Sequence, residues 1–149
     1  MSTKIHKKEK CHHCGSIISE REIGLYRGLI KTLWRVFDWS ESKNIHEFKR
    51  KDIKHLFNNE NDTARFGDLV YFGGLVYKNG KGHYGLNMKR CDDFFSNKYK
   101  IPTAVWKNPI TKETRCENYV LLREMPSILE YLDEDGAYIS RYRMNSTLF

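Results

Sequence analysis

Apolar side chains follow a helical period between residues 19 and 37. They recur at spacings of three and four residues, at Ile23, Tyr26, Ile30, Leu33 and Phe37. This is the pattern of an amphipathic helix with one buried face. Directly before it, Ser19 and Glu22 have the S-x-x-E spacing of a capping box, in which each side chain satisfies a backbone amide of the first turn. The pattern predicts a long helix that begins near residue 19 and is central to the core.

The segments up to residue 74 predict a short strand over residues 45–48 and two more helices. The second predicted helix of the chain covers residues 49–57. The third predicted helix begins at a cap formed by Asn61 or Asp62 and ends at Gly73-Gly74, because glycine is common just past a helix C-terminus. Its inward face carries Phe66, Leu69 and Val70, and its outward positions are expected to be Asp62, Arg65, Asp68 and Phe72.

A hairpin follows this helix. Two runs of β-forming residues, 75–78 and 83–88, flank Asn79-Gly80-Lys81-Gly82, and an Asn-Gly start with a four-residue loop is a strong hairpin signal. A helix, a sharp turn and a hairpin with a basic tip form the second half of a winged helix-turn-helix. In that fold the helix can enter a major groove while the hairpin touches the DNA backbone beside it.

Residues 89–149 predict a helix over 89–96, two strands around Val105-Trp106 and 119–122, and a helix with Pro126 in its first turn. In the helix over residues 89–96, Cys91, Phe94 and Phe95 face inward. The tail from Arg141 is expected to be mobile. The predicted fold class is α+β: a winged helix-turn-helix with a candidate N-terminal zinc knuckle and a small C-terminal β extension. The corresponding segments are residues 1–18, 19–100 and 101–149.

Charge favours nucleic acid as the partner. The chain of 149 residues has a net charge of +7, and residues 1–100 hold 20 Lys and Arg against 12 Asp and Glu. Residues 101–149 hold 6 against 7. The basic excess therefore lies with the predicted winged helix, where counterion release could drive binding to double-stranded DNA.

The candidate binding residues fall into three groups. Phosphate contacts are assigned to Lys49, Arg50, Lys51 and Lys54, an approach to bases to Arg65, and backbone contacts of the wing to Lys78, Lys81 and His83. A further basic row on the first helix, Arg27, Lys31 and Arg35, is expected to be a solvated face.

The third helix also supports a different class of function. Two aspartates on its outward face, Asp62 and Asp68, would repel phosphate. A winged helix that binds a protein fits this balance equally well. The sequence does not fix the oligomeric state, but a homodimer is an option, because two-fold dimers are the commonest oligomers and suit palindromic sites.

The N-terminal segment raises the question of a metal. Cys11-His12-His13-Cys14-Gly15 has the C-x-x-C-G form of a zinc knuckle, in which two thiolates on one turn reach a tetrahedral ion. A structural zinc needs four ligands, and no second C-x-x-C follows. Cys11 and Cys14 are the predicted ligands of one structural zinc, and Cys91, Cys116 or a histidine could complete the set. The alternative is a degenerate knuckle with free thiols.

Other classes of protein are disfavoured. No apolar run is long enough to span a membrane, and the N-terminus lacks the apolar core of a signal peptide. Four unevenly spaced cysteines predict a reducing, cytoplasmic setting. The six histidines fall in no H-E-x-x-H or H-x-E motif, and no Walker or dinucleotide glycine loop is present, so we expect no enzymatic activity.

Several of these pieces together resemble a family. The C-x-x-C-G knuckle, the Leu69-Val70-Tyr71-Phe72-Gly73-Gly74-Leu75-Val76 segment and Ile101-Pro102-Thr103-Ala104-Val105-Trp106 are similar to segments of small phage and prophage winged-helix proteins with a half zinc-ribbon knuckle. Most of those proteins are uncharacterised. This chain differs by an inserted glycine and by the lack of an arginine in the first of the two longer segments.

The resemblance implies a phage or mobile-element setting in a bacterial host cell, with two roles. The first is a nucleic-acid-binding regulator. The alternative is a non-enzymatic inhibitor, similar to anti-CRISPR proteins, that binds a host defence protein or nucleoprotein complex.

Overall fold

The computed structural model describes residues 5–10, 17–57 and 60–143. The strands are β1 (Ile5–Lys10), β2 (Ile17–Ile23), β3 (Glu47–Lys49), β4 (Val76–Lys78), β5 (His83–Leu86), β6 (Ile101–Lys107) and β7 (Thr114–Val120). The α-helices are α1 (Arg27–Lys43), α2 (Arg50–Ile53), α3 (Glu60–Arg65), α4 (Met88–Phe95), α5 (Pro126–Leu132) and α6 (Gly136–Tyr138). Short 3₁₀ turns cover Lys54–Leu56, Phe66–Tyr71 and Leu122–Glu124, and one π turn covers Ile139–Arg143. The chain is of the α+β class.

The first helix begins later than its local signal suggests. Residues 17–23 form β2, and α1 starts at Arg27 with no side-chain cap, so the predicted capping box at Ser19 and Glu22 is wrong. The cause is pairing with a distant strand: Arg21, Glu22 and Ile23 lie opposite residues 107, 106 and 105 of β6. Strand pairing and burial outweigh a local preference for helix, since propensity is a weak prior.

Helix α1 is the centre of the core, as its period predicted. Leu29, Leu33 and Phe37 are fully buried. Its basic row was expected to be a solvated face; Arg27 is exposed, whereas Lys31 is buried, and Tyr131 of α5 lies against both. The Arg27 guanidinium carbon and the Lys31 Nζ lie 4.9 and 4.2 Å from the centre of that ring. These cations therefore help to hold α5 on α1.

We define the third helix as α3 with its 3₁₀ continuation (residues 60–71). A three-stranded sheet lies beside this helix. Its strand order is β3-β5-β4, with both pairs antiparallel. The predicted hairpin is confirmed, with its loop at residues 79–82. Gly73 and Gly74 end the third helix at φ values of +74° and +68°, which glycine adopts without strain.

The two ends of the described chain meet in a second sheet. Its strand order is β1-β2-β6-β7, and every neighbouring pair is antiparallel. The N-terminal hairpin and the C-terminal hairpin therefore share one sheet, although they are separated by the whole helical region. Val105 and Ile101 of β6 are fully buried and attach this sheet to the core.

The C-terminal helices confirm several predictions and correct one. Cys91, Phe94 and Phe95 are buried, and Pro126 begins α5. The predicted mobility from Arg141 is wrong for residues 141–143. The Arg141 guanidinium binds the Glu41 carboxylate, and the Tyr142 hydroxyl donates to Asp92 Oδ1 at 2.7 Å.

Candidate nucleic-acid interface

Six of the predicted site residues are exposed on α2, its 3₁₀ continuation and the three-stranded sheet, and we call them the basic strip: Lys49, Lys51, Lys54, Lys78, Lys81 and His83. Lys78 lies opposite the buried Tyr84, so its side chain leaves the face of the sheet opposite to that of Lys49 and His83. Lys49 lies directly opposite His83 in the β3–β5 pair. The backbone N–H of Arg50 donates to the Gly82 carbonyl at 2.9 Å, which fastens the start of α2 to the hairpin loop. Within the described part of the chain, none of the six takes part in an ion pair.

The carboxylates beside the basic strip are engaged by neutral donors. Asp52 accepts from the backbone N–H of Lys49 at 2.9 Å. Glu47 accepts from the Tyr77 hydroxyl at 2.7 Å and from Asn79 Nδ2 at 3.3 Å. The hydrogen bond to Glu47, with some burial, raises the pKa of Tyr77. The five lysines of the strip outnumber these two carboxylates, so the region has an excess of positive charge.

Arg50 was predicted to hold phosphate, but it is half-buried and turned inward. Its Nη2 donates to the Tyr84 hydroxyl at 2.5 Å, and its guanidinium carbon lies 5.5 Å from the centre of the Tyr84 ring. Its Nε is buried and makes no hydrogen bond. We therefore assign Arg50 to the attachment of α2 to β5 and not to the strip.

The predicted outward face of the third helix is wrong at two positions. Phe72 is fully buried, and Asp62 is 3% exposed. The Tyr26 hydroxyl donates to Asp62 Oδ1 at 2.8 Å, and the Thr32 hydroxyl lies 3.4 Å from Asp62 Oδ2. Burial, followed by the hydrogen bond to Asp62, raises the pKa of Tyr26. The aspartate ties the third helix to the start of α1, which no local pattern shows.

The exposed side of α3 carries Glu60, Asn61 and Ala64. Arg65 is half-buried, with its Nη1 3.4 Å from Asp68 Oδ2. It lines a cleft between the third helix and the second sheet, and none of the strip residues lines that cleft. The structure therefore separates Arg65 from the other predicted binding residues.

This cleft, which we call the basic cleft, has a volume of about 310 Å³. Its cations are Arg21 of β2, Arg65, Lys107 of β6 and Lys112 of the β6–β7 loop, and its carboxylates are Glu22 and Asp68. Sequence reasoning missed Arg21, Lys107 and Lys112. They lie far apart in the chain, and the register that places Arg21 opposite Lys107 exists only in the folded sheet.

The predicted zinc ligands Cys11 and Cys14 lie outside the described residues. Cys91 fits a ligand role poorly: its buried thiol donates to the Leu75 carbonyl at 3.4 Å, and burial raises its pKa to about 12. Cys116 Sγ lies 3.9 Å from the Tyr71 carbonyl oxygen. Across residues 5–10, 17–57 and 60–143, no three or more His, Cys, Asp or Glu side chains form a group that could hold a metal.

The helices that the structure describes include none with the length and apolar character needed to cross a membrane. Comparisons with protein-family models, with curated proteins and with solved structures gave no match to this chain.

Proposed function

We propose that the chain is a non-enzymatic nucleic-acid-binding protein of the winged-helix type, which holds a phosphate backbone on its basic strip. The order α1, β3, α2, third helix, β4, β5 with the sheet order β3-β5-β4 supports this type. In a winged helix, the hairpin loop and the second helix both lie near the nucleic acid.

One observation carries the proposal: the bond from the Arg50 N–H to the Gly82 carbonyl, which places the start of α2 beside the hairpin loop. Lys49, Lys51 and Lys54 would contact one stretch of backbone, and Lys78, Lys81 and His83 the stretch beside it. Phosphate contacts set orientation and affinity but carry no sequence information. Because the exposed side of α3 lacks cations at residues 60, 61 and 64, we expect binding with little sequence preference.

The test is the salt dependence of binding to duplex DNA of arbitrary sequence. If the five lysines of the strip each neutralise one phosphate, the slope of log K against log salt should be about −4.5. The double variant Lys51→Gln/Lys54→Gln should reduce the magnitude of the slope by about 2.

The matched control is Lys98→Gln/Lys100→Gln, which removes the same net charge at exposed lysines outside the strip. We expect this control to keep the slope of the parent protein. An equal loss in both double variants would show that net charge drives binding and would overturn the assignment to the strip.

A second function, inhibition of a host defence protein or nucleoprotein complex, is favoured by the side chains Glu60, Asn61 and Ala64 on α3, which suit contact with a protein better than with phosphate. Tagged protein should be recovered from host lysate with and without nuclease. A stoichiometric protein partner that survives nuclease would favour the inhibitor. DNA that disappears on nuclease treatment, with no such partner, would favour the regulator.

We propose that Cys11 and Cys14 contribute to one structural zinc. Metal analysis of the purified chain should give about one zinc per chain, and Cys11→Ser should remove it. Cys91→Ala should keep the zinc, because the Cys91 thiol is committed to the Leu75 carbonyl. Protein without zinc and with reactive thiols at residues 11 and 14 would instead show a degenerate knuckle.

A further inference from the structure

The basic cleft brings together cations that the fold would otherwise keep apart. Arg21 and Lys107 are directly opposite in the β2–β6 pair, so their side chains leave the same face of the sheet. Like charges in such a pair destabilise a sheet. Arg65 and Lys112 add two more cations to the same cleft, against the carboxylates Asp68 and Glu22. An anion bound between these cations would remove the repulsion.

Two of the cations are held in fixed positions. Lys107 Nζ donates to the Tyr71 hydroxyl at 2.7 Å and lies 5.1 Å from the centre of that ring. Arg65 Nη1 is 3.4 Å from Asp68 Oδ2. A lysine has three donors and an arginine five. Each side chain therefore keeps donors for a ligand while its partner limits its motion, which lowers the entropic cost of binding.

Lys112 occupies a backbone position that favours glycine. Its φ is +66°, in the left-handed region that non-glycine residues rarely adopt. The loop around it is closed by bonds from the Lys112 N–H to the Asn108 carbonyl at 2.9 Å, and from the Ile110 and Thr111 N–H groups to Asn108 Oδ1 at 2.9 and 3.1 Å. This closed loop places Lys112 in the lining of the basic cleft.

From these contacts we infer that the basic cleft binds a phosphate group carried on a ligand the size of one nucleotide. Its volume of about 310 Å³ is larger than phosphate alone requires and lies near the lower end of the range for small-molecule sites, about 300–1,000 Å³. Ile23 and Pro109 provide an apolar wall beside the cations. The phosphate would lie between Arg21, Lys107 and Lys112, and the organic part against that wall. The inference does not rest on the proposed function, because the strip residues lie outside the cleft.

The ligand could be a free mononucleotide or the 5′-terminal nucleotide of a nucleic-acid strand. Calorimetry on the full chain would compare adenosine 5′-monophosphate with adenosine, and a 5′-phosphorylated single strand with the same strand ending in a hydroxyl. The inference predicts at least about tenfold tighter binding of the phosphorylated member of one pair, since charge-assisted hydrogen bonds to phosphate are the strong ones. A gain with the monophosphate alone identifies the free nucleotide as the source, and a gain that includes the strand identifies the strand end.

The decisive variant is Lys112→Gly. Glycine adopts a φ of +66° without strain, so the variant should unfold at the same or a higher denaturant concentration while its affinity for the phosphorylated ligand falls about tenfold. Lys107→Met should weaken the same binding, and Lys98→Met should leave it unchanged. The inference is overturned if phosphorylation improves binding in neither pair, or if Lys112→Gly and Lys107→Met both bind as the parent protein does.

Discussion

The basic strip and the basic cleft differ in how the chain assembles them. The strip takes its cations from residues 49–83, and a hairpin and one short helix bring them together. The cleft takes its cations from residues 21, 65, 107 and 112, which meet only because β2 pairs with β6 and the second sheet packs near the third helix. A band of exposed lysines suits an extended backbone, whereas a concave set of partly fixed cations suits one compact anion.

The third helix connects the two regions. Gly67 lies beneath the Tyr84 hydroxyl of β5, and a Cβ added there would be 3.1 Å from that oxygen. One residue further on, Asp68 lines the cleft. Changes in this helix should therefore affect both regions, while changes at the exposed cations should affect one.

The largest effect is expected from Phe66→Ala. Phe66 is fully buried, and its ring centre lies 5.5 Å from that of Tyr84 and 5.7 Å from that of Phe57. Removal of this ring should lower the free energy of unfolding by about 3–5 kcal/mol. Urea denaturation followed by circular dichroism would measure the change. Tyr119→Ala, at a side chain that is 55% exposed, should change stability by less than about 0.5 kcal/mol. Equal effects of the two variants would contradict the position assigned to Phe66.

The next effect is expected from Asp62→Ala. This change leaves the Tyr26 hydroxyl without its acceptor, which should cost about 1–3 kcal/mol. The Thr32 hydroxyl keeps its bond to the Gly28 carbonyl at 2.9 Å. The same denaturation experiment measures it. Asp68→Ala, at a half-exposed carboxylate paired with Arg65, should cost less than about 1 kcal/mol. A larger loss for Asp68→Ala than for Asp62→Ala would show that the outward face was assigned incorrectly.

A pair of crossed variants should separate the two regions. Lys51→Gln/Lys54→Gln should weaken duplex DNA binding about tenfold or more at low salt and leave adenosine 5′-monophosphate binding unchanged. Lys112→Gly should do the reverse. Fluorescence anisotropy with labelled duplex and calorimetry with the mononucleotide would measure both. If each variant weakens both ligands, the strip and the cleft form one continuous surface and the distinction between them fails.

The smallest effect on stability near neutral pH is expected from the ionisation of the buried tyrosines. Burial raises the pKa of Tyr26, Tyr138 and Tyr142 above their ordinary value of 10.0, in Tyr138 to about 12. Above pH 10, tyrosines of the unfolded chain lose protons that the folded chain retains, so stability should be complete below pH 10 and fall as the pH rises through the folded-state values. Urea midpoints between pH 8 and pH 11.5 would show this fall.

In Tyr26→Phe, the fall above pH 10 should be smaller, because one of the shifted groups is gone. Tyr119→Phe, at an exposed side chain, should keep the pH dependence of the parent protein. If Tyr26→Phe and the parent protein lose stability in parallel above pH 10, Tyr26 does not carry the shift.

Patterns of neighbouring residues correctly predicted those features of the fold that depend on local interactions. The hydrophobic period of α1, the Gly73-Gly74 stop, the hairpin at residues 79–82 and Pro126 at the start of α5 are confirmed. Each depends on residues within a few positions of one another. The exposure of the six residues of the basic strip could be predicted for the same reason, because a hairpin and the helix beside it expose their polar positions in a regular way.

Tertiary structure decided the features that depend on contacts between residues far apart in the sequence. Residues 19–23 match a capping box, yet they belong to a strand because residues 21–23 pair with β6. Asp62 and Phe72 occupy positions that a regular helix would turn outward, yet the hydroxyls of Tyr26 and Thr32 draw the aspartate inward and the core covers the phenylalanine. The basic cleft needs the β2–β6 register before it exists at all. By itself the sequence determined the α+β class, the central helix and the hairpin. Only long-range pairing, which no local period encodes, decided where helix α1 begins, which side of the third helix is buried and where Arg65 lies.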